Sequence, residues 1–158
     1  MAFIQAADAL ELAMNIETNG EAFYKAVASK AGNDDVRAMF EDLAVQETRH
    51  YAVFHRLSQA MAGNPLMTAV QWDEYQDYLQ ATVRSSLFEG PDRALAAAEE
   101  VADEQEAIQM AIGFEKETLL FFYNLNDLVS ERDRKTVRQI IDEEKSHVQR
   151  LAKMLRSG

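Results

Sequence analysis

Cysteine is absent from this 158-residue chain, which excludes disulfides, thiolate metal sites and iron–sulfur clusters. Proline and glycine are scarce, with two and six copies, and both prolines fall in the middle third of the sequence. Long stretches are therefore free to form uninterrupted helix, and good helix formers such as Ala, Leu, Glu and Met dominate them.

No membrane-spanning or targeting segment is visible in the sequence. No run approaches the ~20 continuous apolar residues of a membrane span, and the first five residues lack the basic and apolar regions of a signal peptide. The net charge of −11 disfavours nucleic acid, since phosphate contacts require clustered Lys and Arg. We expect a cytoplasmic protein without nucleic-acid or membrane partners, folded as a single domain over residues 1–158.

Apolar residues recur at steps of three and four through four long segments, which predicts an all-α protein. The four segments run from about Phe3 to Ala31, from Asp34 to about Ala62, up to about Val129, and from about Ser130 almost to the C-terminus. A crossover over about residues 64–102 joins the second segment to the third. It contains a predicted helix from Val70 to Leu87 and a short one from Asp92. The pattern predicts a four-helix bundle of two antiparallel helical hairpins joined by a long helical crossover.

The motif Glu-x-x-His occurs twice, as Glu47 to His50 and as Glu144 to His147. On a helix, side chains three residues apart project from one face and can bind the same metal ion. A single match is a weak signal, because 16 of the 158 residues are Glu. Here two of only three histidines have the motif; the third, His55, is expected near a helix surface.

A lone glutamate precedes each motif at nearly the same distance. Glu17 lies 30 residues before Glu47, and Glu115 lies 29 residues before Glu144. These glutamates and the motif histidines all interrupt apolar stripes, where buried carboxylates would repel one another unless protons or cations neutralised them. No Lys or Arg occupies the stripes, which indicates metal. The predicted metal ligands are Glu17, Glu47, His50, Glu115, Glu144 and His147.

Carboxylate-rich ligation with one imidazole per ion suits iron or manganese better than zinc. Two iron ions per chain are therefore the leading prediction, with manganese or a mixed pair as alternatives and zinc less favoured. Glu47 and Glu144 would bridge the ions, and Glu17 and Glu115 would be terminal ligands. Open positions would admit a small oxidant such as peroxide or O₂.

Three further residues lie close to the predicted ligands in the sequence. Tyr24 follows Glu17 by seven residues on the same stripe, and we expect it to form a hydrogen bond near the site. Gln46 and Glu143 each precede a motif glutamate. They could support the ligands, but solvated polar positions are the favoured interpretation.

The same residues resemble those of the ferritin-like superfamily, and most closely those of its rubrerythrin branch. The segment from Glu17 to Tyr24, Glu-Thr-Asn-Gly-Glu-Ala-Phe-Tyr, is similar to the first-helix signature of rubrerythrins, and both Glu-x-x-His motifs match. The resemblance implies a ferritin-like four-helix bundle with non-haem di-iron, acting as a peroxidase or oxidising ferrous iron, often as a homodimer. Rubrerythrins usually have a further glutamate where this chain has Thr118, and commonly a rubredoxin domain whose four cysteines deliver electrons.

Because this sequence has no cysteine, turnover would require an external electron donor. The leading prediction is an oxidoreductase that reduces hydrogen peroxide or O₂ with ferrous iron or that donor. Two alternatives are iron storage or delivery with ferroxidase activity, and a metal-stabilised bundle without turnover.

Overall fold

The computed structural model describes residues 3–60, 65–68, 73–74, 77 and 90–157. Within them, the chain forms five helices: α1 (Ala6–Lys30), α2 (Asp34–Ala60), α3 (Pro91–Glu100), α4 (Glu104–Leu128) and α5 (Glu131–Ser157). Helix α1 packs along α2 and α4 packs along α5, each pair being joined by a short turn, while α3 packs against α1. The predicted helical bundle built from two hairpins is confirmed. No helix in the described ranges has the length and apolarity that crossing a membrane requires.

A small antiparallel sheet joins the start of the chain to the start of the crossover. Strand β1 (Phe3–Gln5) pairs with β2 (Pro65–Thr68), with Phe3 opposite Thr68 and Ile4 opposite Met67. The prediction that the first helix begins at about Phe3 was therefore wrong, and the helix begins at Ala6. Local periodicity could not reveal this strand, because its hydrogen-bonding partner lies far away in the sequence.

The crossover is described only in part. The short helix expected from Asp92 is α3, which begins one residue earlier at Pro91, where a proline costs no hydrogen bond. Gly90, just before it, has a φ of 130°, a backbone conformation that favours glycine. The helix predicted from Val70 to Leu87 lies outside the described residues, except for three helical positions, 73, 74 and 77.

The turn between α1 and α2 is held by the first residue of α4. The Glu104 carboxylate accepts hydrogen bonds from the backbone nitrogens of Gly32 (2.8 Å) and Asn33 (3.0 Å). The Asn33 side chain in turn accepts one from the backbone nitrogen of Asp35 at 2.8 Å, which caps the first turn of α2. These contacts fix the turn of the α1–α2 hairpin against the first residue of α4, where the second hairpin begins.

Aromatic side chains fill much of the core between the hairpins. Tyr24 contacts Phe23 and Phe40, each with ring centroids 5.7 Å apart, and Phe114 at 6.3 Å. Phe54 packs against Phe122 at 5.1 Å. All six rings are fully buried, so the middle of the bundle is an apolar environment in which any charged group must find a partner.

Candidate metal centre

Four helices each contribute at least one of the six predicted ligands to the interior of the bundle. Every one of these side chains is buried, the most exposed being His147 at 3%. Helix α1 carries Glu17, α2 carries Glu47 and His50, α4 carries Glu115, and α5 carries Glu144 and His147. Helical spacing places each motif pair on one face, and packing of the two hairpins brings the faces together.

The six residues form two overlapping groups, each of which offers four ligand atoms that lie within 4.8 Å of one another. One group contains Glu17, Glu47, His50 and Glu144, and the other contains Glu47, Glu115, Glu144 and His147. Glu47 and Glu144 belong to both groups. This sharing is the arrangement that two neighbouring metal ions bridged by carboxylates would need.

Both imidazole rings turn their Nδ1 atoms towards the shared carboxylate of Glu144. His50 Nδ1 lies 2.9 Å from Glu144 Oε1 and His147 Nδ1 lies 2.9 Å from Glu144 Oε2. His50 Nδ1 is also 3.6 Å from Glu17, and His147 Nδ1 is 3.5 Å from Glu115. Each ring therefore presents the same nitrogen to the carboxylates of its own group.

Several carboxylate oxygens in this cluster lack hydrogen-bond partners. Within the described part of the chain, both oxygens of Glu17, both of Glu47, and Oε2 of Glu115 are buried and unpaired. An unpaired buried carboxylate is costly, so such a cluster requires protons or cations. Four carboxylates also balance the charge of two divalent cations, and their oxygens are donors suited to iron or manganese. The residues present therefore fit a pair of metal ions.

Without metal, protons take the place of the cations. Burial, and next the charge of Glu144, raise the pKa of Glu115 to about 8, and the same two causes raise the pKa of Glu17. Burial alone would lower the pKa of each histidine. Hydrogen bonds and charges from the carboxylates outweigh it, and raise the pKa of His50 to about 11 and that of His147 to about 9. Metal binding would displace these protons.

Tyr24 forms the hydrogen bond that its position predicted. Its hydroxyl donates to Glu115 Oε1 at 2.5 Å, and the ring is fully buried. Burial, and then the charge of Glu115, raise the pKa of Tyr24 well above its ordinary value. The phenol therefore stays protonated and acts as a permanent donor to Glu115.

Glu143 contacts the centre, so its favoured interpretation as a solvated position was wrong. Its Oε2 lies 2.6 Å from Nε2 of His50, on the side of the ring opposite Glu144. The same oxygen accepts a hydrogen bond from the Arg49 guanidinium. Gln46, the other residue that precedes a motif glutamate, accepts from Arg49 Nη2 at 3.0 Å. The sequence signal for this contact was the adjacent acidic pair Glu143–Glu144. Following the apolar stripe of each helix separately gave weight to Glu144 alone.

The remaining two residues singled out by the sequence lie as follows. His55 is exposed and stacks on Tyr51 with ring centroids 6.2 Å apart, as expected for a surface position. Thr118 is fully buried one turn after Glu115, and its hydroxyl has no hydrogen-bond partner in the described residues. The position one turn after Glu115 thus carries a neutral hydroxyl rather than a seventh candidate ligand.

Comparison with known proteins agrees with this geometry. The sequence profile of the rubrerythrin family matches residues 8–155. A crystal structure of a ferritin-like diiron-carboxylate protein from Thermotoga maritima is 25% identical in sequence and superimposes with a TM-score of 0.65. The match covers 99% of this chain and 97% of that chain. No curated protein matches the sequence.

Proposed function

The chain belongs to the rubrerythrin family, and on this basis we propose that it is a dinuclear non-haem iron oxidoreductase. Its reaction would reduce hydrogen peroxide or O₂ with electrons from ferrous iron or an external donor. The observation that carries the proposal is the pair of buried ligand groups that share Glu47 and Glu144. The likeness to a diiron-carboxylate protein supports the choice of iron.

The proposed ligand roles follow from the two groups. Glu47 and Glu144 would bridge the ions, because each belongs to both groups. Glu17 and Glu115 each belong to one group and would be terminal ligands. The two histidines would each bind one ion through Nδ1, the nitrogen that faces the carboxylates.

Two ferrous ions, when bound, would supply the two electrons that, with two protons, convert hydrogen peroxide into two molecules of water. The protein holds the ligands in position and keeps bulk water away from them. Tyr24 orients Glu115 through its hydrogen bond, and the rings of Phe114 and Phe40 pack against Tyr24. An apolar surrounding of this kind strengthens electrostatic interactions at the centre.

Iron stoichiometry is the first test of the proposal. After anaerobic reconstitution, wild type should bind about two irons per chain, and Glu144→Ala should bind far less because it loses a ligand common to both groups. Glu131→Ala is the matched control, since it removes the same group from an exposed position on the same helix. Absence of stoichiometric iron in wild type would contradict the proposal.

Reaction with peroxide tests the activity itself. Protein loaded with ferrous iron should be oxidised by hydrogen peroxide faster than the same concentration of free ferrous ion. Equal rates would contradict an oxidoreductase role. Together with a large loss of thermal stability on chelation, they would instead favour a metal-stabilised bundle without turnover.

We also propose that the protein is a homodimer, as the family resemblance implies, and that it is cytoplasmic. Sedimentation of the iron-loaded protein should give the mass of two chains. A large hollow assembly would contradict the dimer and favour iron storage, because storage of a mineral core requires a shell.

A further inference from the structure

The two histidines of the centre have unequal surroundings. On His50, both ring nitrogens have carboxylate partners: Glu144 lies 2.9 Å from Nδ1 and Glu143 lies 2.6 Å from Nε2. On His147, Nδ1 lies 2.9 Å from Glu144, while Nε2 has no hydrogen-bond partner among the residues that the structure describes. Glu143 and Glu144, adjacent residues of α5, thus contact both nitrogens of the His50 ring, whereas His147 has a carboxylate contact only at Nδ1 among the described residues.

The sequence explains the inequality. The two motifs are Gln46-Glu47-x-x-His50 and Glu143-Glu144-x-x-His147, so the residue before the bridging glutamate is neutral on α2 and acidic on α5. Gln46 accepts hydrogen bonds from Arg49 on its own helix. The two hairpins thus repeat the motif, but the residue before the bridging glutamate is charged on α5 and neutral on α2. An exact repeat would have a charged residue at both positions.

Arg49 holds Glu143 in place. Its guanidinium donates to the same Glu143 oxygen that faces His50, so that α2 supplies both partners of this carboxylate. The side chain of Glu143 is 28% exposed, so the contact with His50 lies at the edge of the buried centre.

A carboxylate in this position orients a metal-ligating imidazole and makes it a stronger ligand. The nitrogen that binds a metal carries no proton, so a neutral His50 bound through Nδ1 must carry its proton on Nε2. Glu143 accepts a hydrogen bond from this Nε2–H, which fixes the tautomer and the ring orientation. It also makes Nδ1 a stronger electron-pair donor to the metal.

We propose that Glu143, positioned by Arg49, makes the two halves of the centre unequal, so that the ion in the Glu17–His50 half binds more tightly and loads first. The inference rests on the proposed two-ion centre and goes beyond it by assigning an order to the two positions. Glu143 is a positioning residue here, because it acts on the metal through His50.

Stepwise titration of metal-free protein with Co²⁺, followed by visible absorption and calorimetry, tests the order. Wild type should bind two Co²⁺ in distinguishable steps. Glu143→Ala should weaken the tighter step by about 10- to 100-fold and leave the weaker step nearly unchanged. Glu143→Gln should fall between, because the amide oxygen still accepts the Nε2 proton but carries no charge.

A double-mutant comparison identifies the half concerned. In a His50→Ala background the Glu143→Ala change should have no further effect on Co²⁺ binding, whereas in a His147→Ala background it should keep its full effect. Glu131→Ala, the exposed change on the same helix, should alter neither step. If Glu143→Ala fails to fold, Arg49→Gln at the half-exposed end of the contact should weaken the tighter step in the same direction by a smaller factor.

The outcomes separate the two proposals. Two Co²⁺ bound with equal affinity, or a tighter step that Glu143→Ala leaves unchanged, would overturn the inequality while the two-ion centre stands. Equal weakening of both steps would also overturn it, because the effect would then not belong to one half. Fewer than two Co²⁺ bound by wild type would overturn the two-ion centre itself, and the inequality with it.

Discussion

At the scale of the single residue, Tyr24 shows how the apolar core is joined to the charged centre. Its hydroxyl is the one hydrogen-bond donor from a neutral side chain that the described residues provide to the six ligands. The ring packs among phenylalanines, so the phenol has no access to water as an alternative partner. The hydrogen bond and the packing therefore depend on each other.

Tyr24→Phe is expected to destabilise the metal-free protein and to weaken metal binding. Loss of the phenol donor from a buried carboxyl oxygen should lower the free energy of unfolding by about 1–3 kcal/mol. Less fixed orientation of Glu115 should lower metal affinity by about tenfold. Urea denaturation and Co²⁺ titration would measure the two effects. Tyr51→Phe is the control, since Tyr51 is exposed and stacks on His55; an equal effect there would contradict the assignment.

The six candidate ligands could be assigned from the sequence, while for Glu143 the sequence offered support of the ligands only as the less favoured alternative. Spacing of three residues places Glu and His on one helical face, and equal distances from the turns place the glutamates at one level. Both arguments use only positions along a helix. The contact of Glu143 with His50 depends on how far α5 lies from α2 and on the rotamer that Arg49 holds, which helical periodicity does not contain.

At the scale of the element, Gly20 permits the close approach of α1 to the centre. A Cβ added at this position would lie 3.0 Å from Cε1 of Phe114 and 3.5 Å from the carboxyl carbon of Glu47. Glycine in the middle of a helix otherwise costs about 0.5–1 kcal/mol relative to alanine. The space that the missing side chain leaves is occupied by an aromatic ring and a proposed bridging ligand.

Gly20→Ala is therefore expected to destabilise the protein in spite of the better helix propensity of alanine. Crowding in a packed core costs about 1–3 kcal/mol, which should exceed the gain in propensity. Thermal unfolding of the metal-free protein would measure the net effect of crowding and helix propensity on stability. Gly113→Ala on α4 is the matched control, because a Cβ there meets nothing within 4 Å. It should stabilise by up to about 1 kcal/mol; equal stabilisation by both changes would contradict the crowding argument.

The C-terminal ends of three long helices could be predicted closely, while the small sheet could not be predicted. Three of their predicted ends, Ala31, Ala62 and Val129, lie within two residues of the described ends. Each is marked locally, by Gly32 and Asn33 or by a cluster of polar residues before the next apolar stripe. Strand β1 has no such mark. Phe3–Gln5 is extended because Pro65–Thr68 is available to pair with it, which is a property of the folded chain.

At the scale of the whole molecule, the buried carboxylates of the centre destabilise the fold unless cations or protons neutralise them. The folded metal-free protein retains protons that the unfolded chain would release at the same pH. Glu115 has a pKa of about 8, His147 of about 9 and His50 of about 11, all above their values in the unfolded chain. A group whose pKa is raised by folding stabilises the fold below its unfolded pKa, and this contribution is lost as the pH rises through the folded value.

The metal-free protein should accordingly lose stability as the pH rises from 6 to 9. Each proton that the fold retains contributes a slope of about 1.4 kcal/mol per pH unit. The pKa of Glu144 is lowered instead, so its contribution is already complete at pH 6 and does not alter the trend. Urea denaturation in the presence of a chelator, at intervals across this range, would measure the slope.

Two controls make the pH prediction specific to the centre. Glu115→Gln in the metal-free protein should reduce the slope between pH 6 and 8 without abolishing it, because the amide cannot release the proton that the carboxyl loses with a pKa of about 8. Protein loaded with two divalent cations should not lose stability over the same range, since the metal has already displaced the protons. A metal-free stability that is constant or rises from pH 6 to 9 would contradict the account of a proton-neutralised centre.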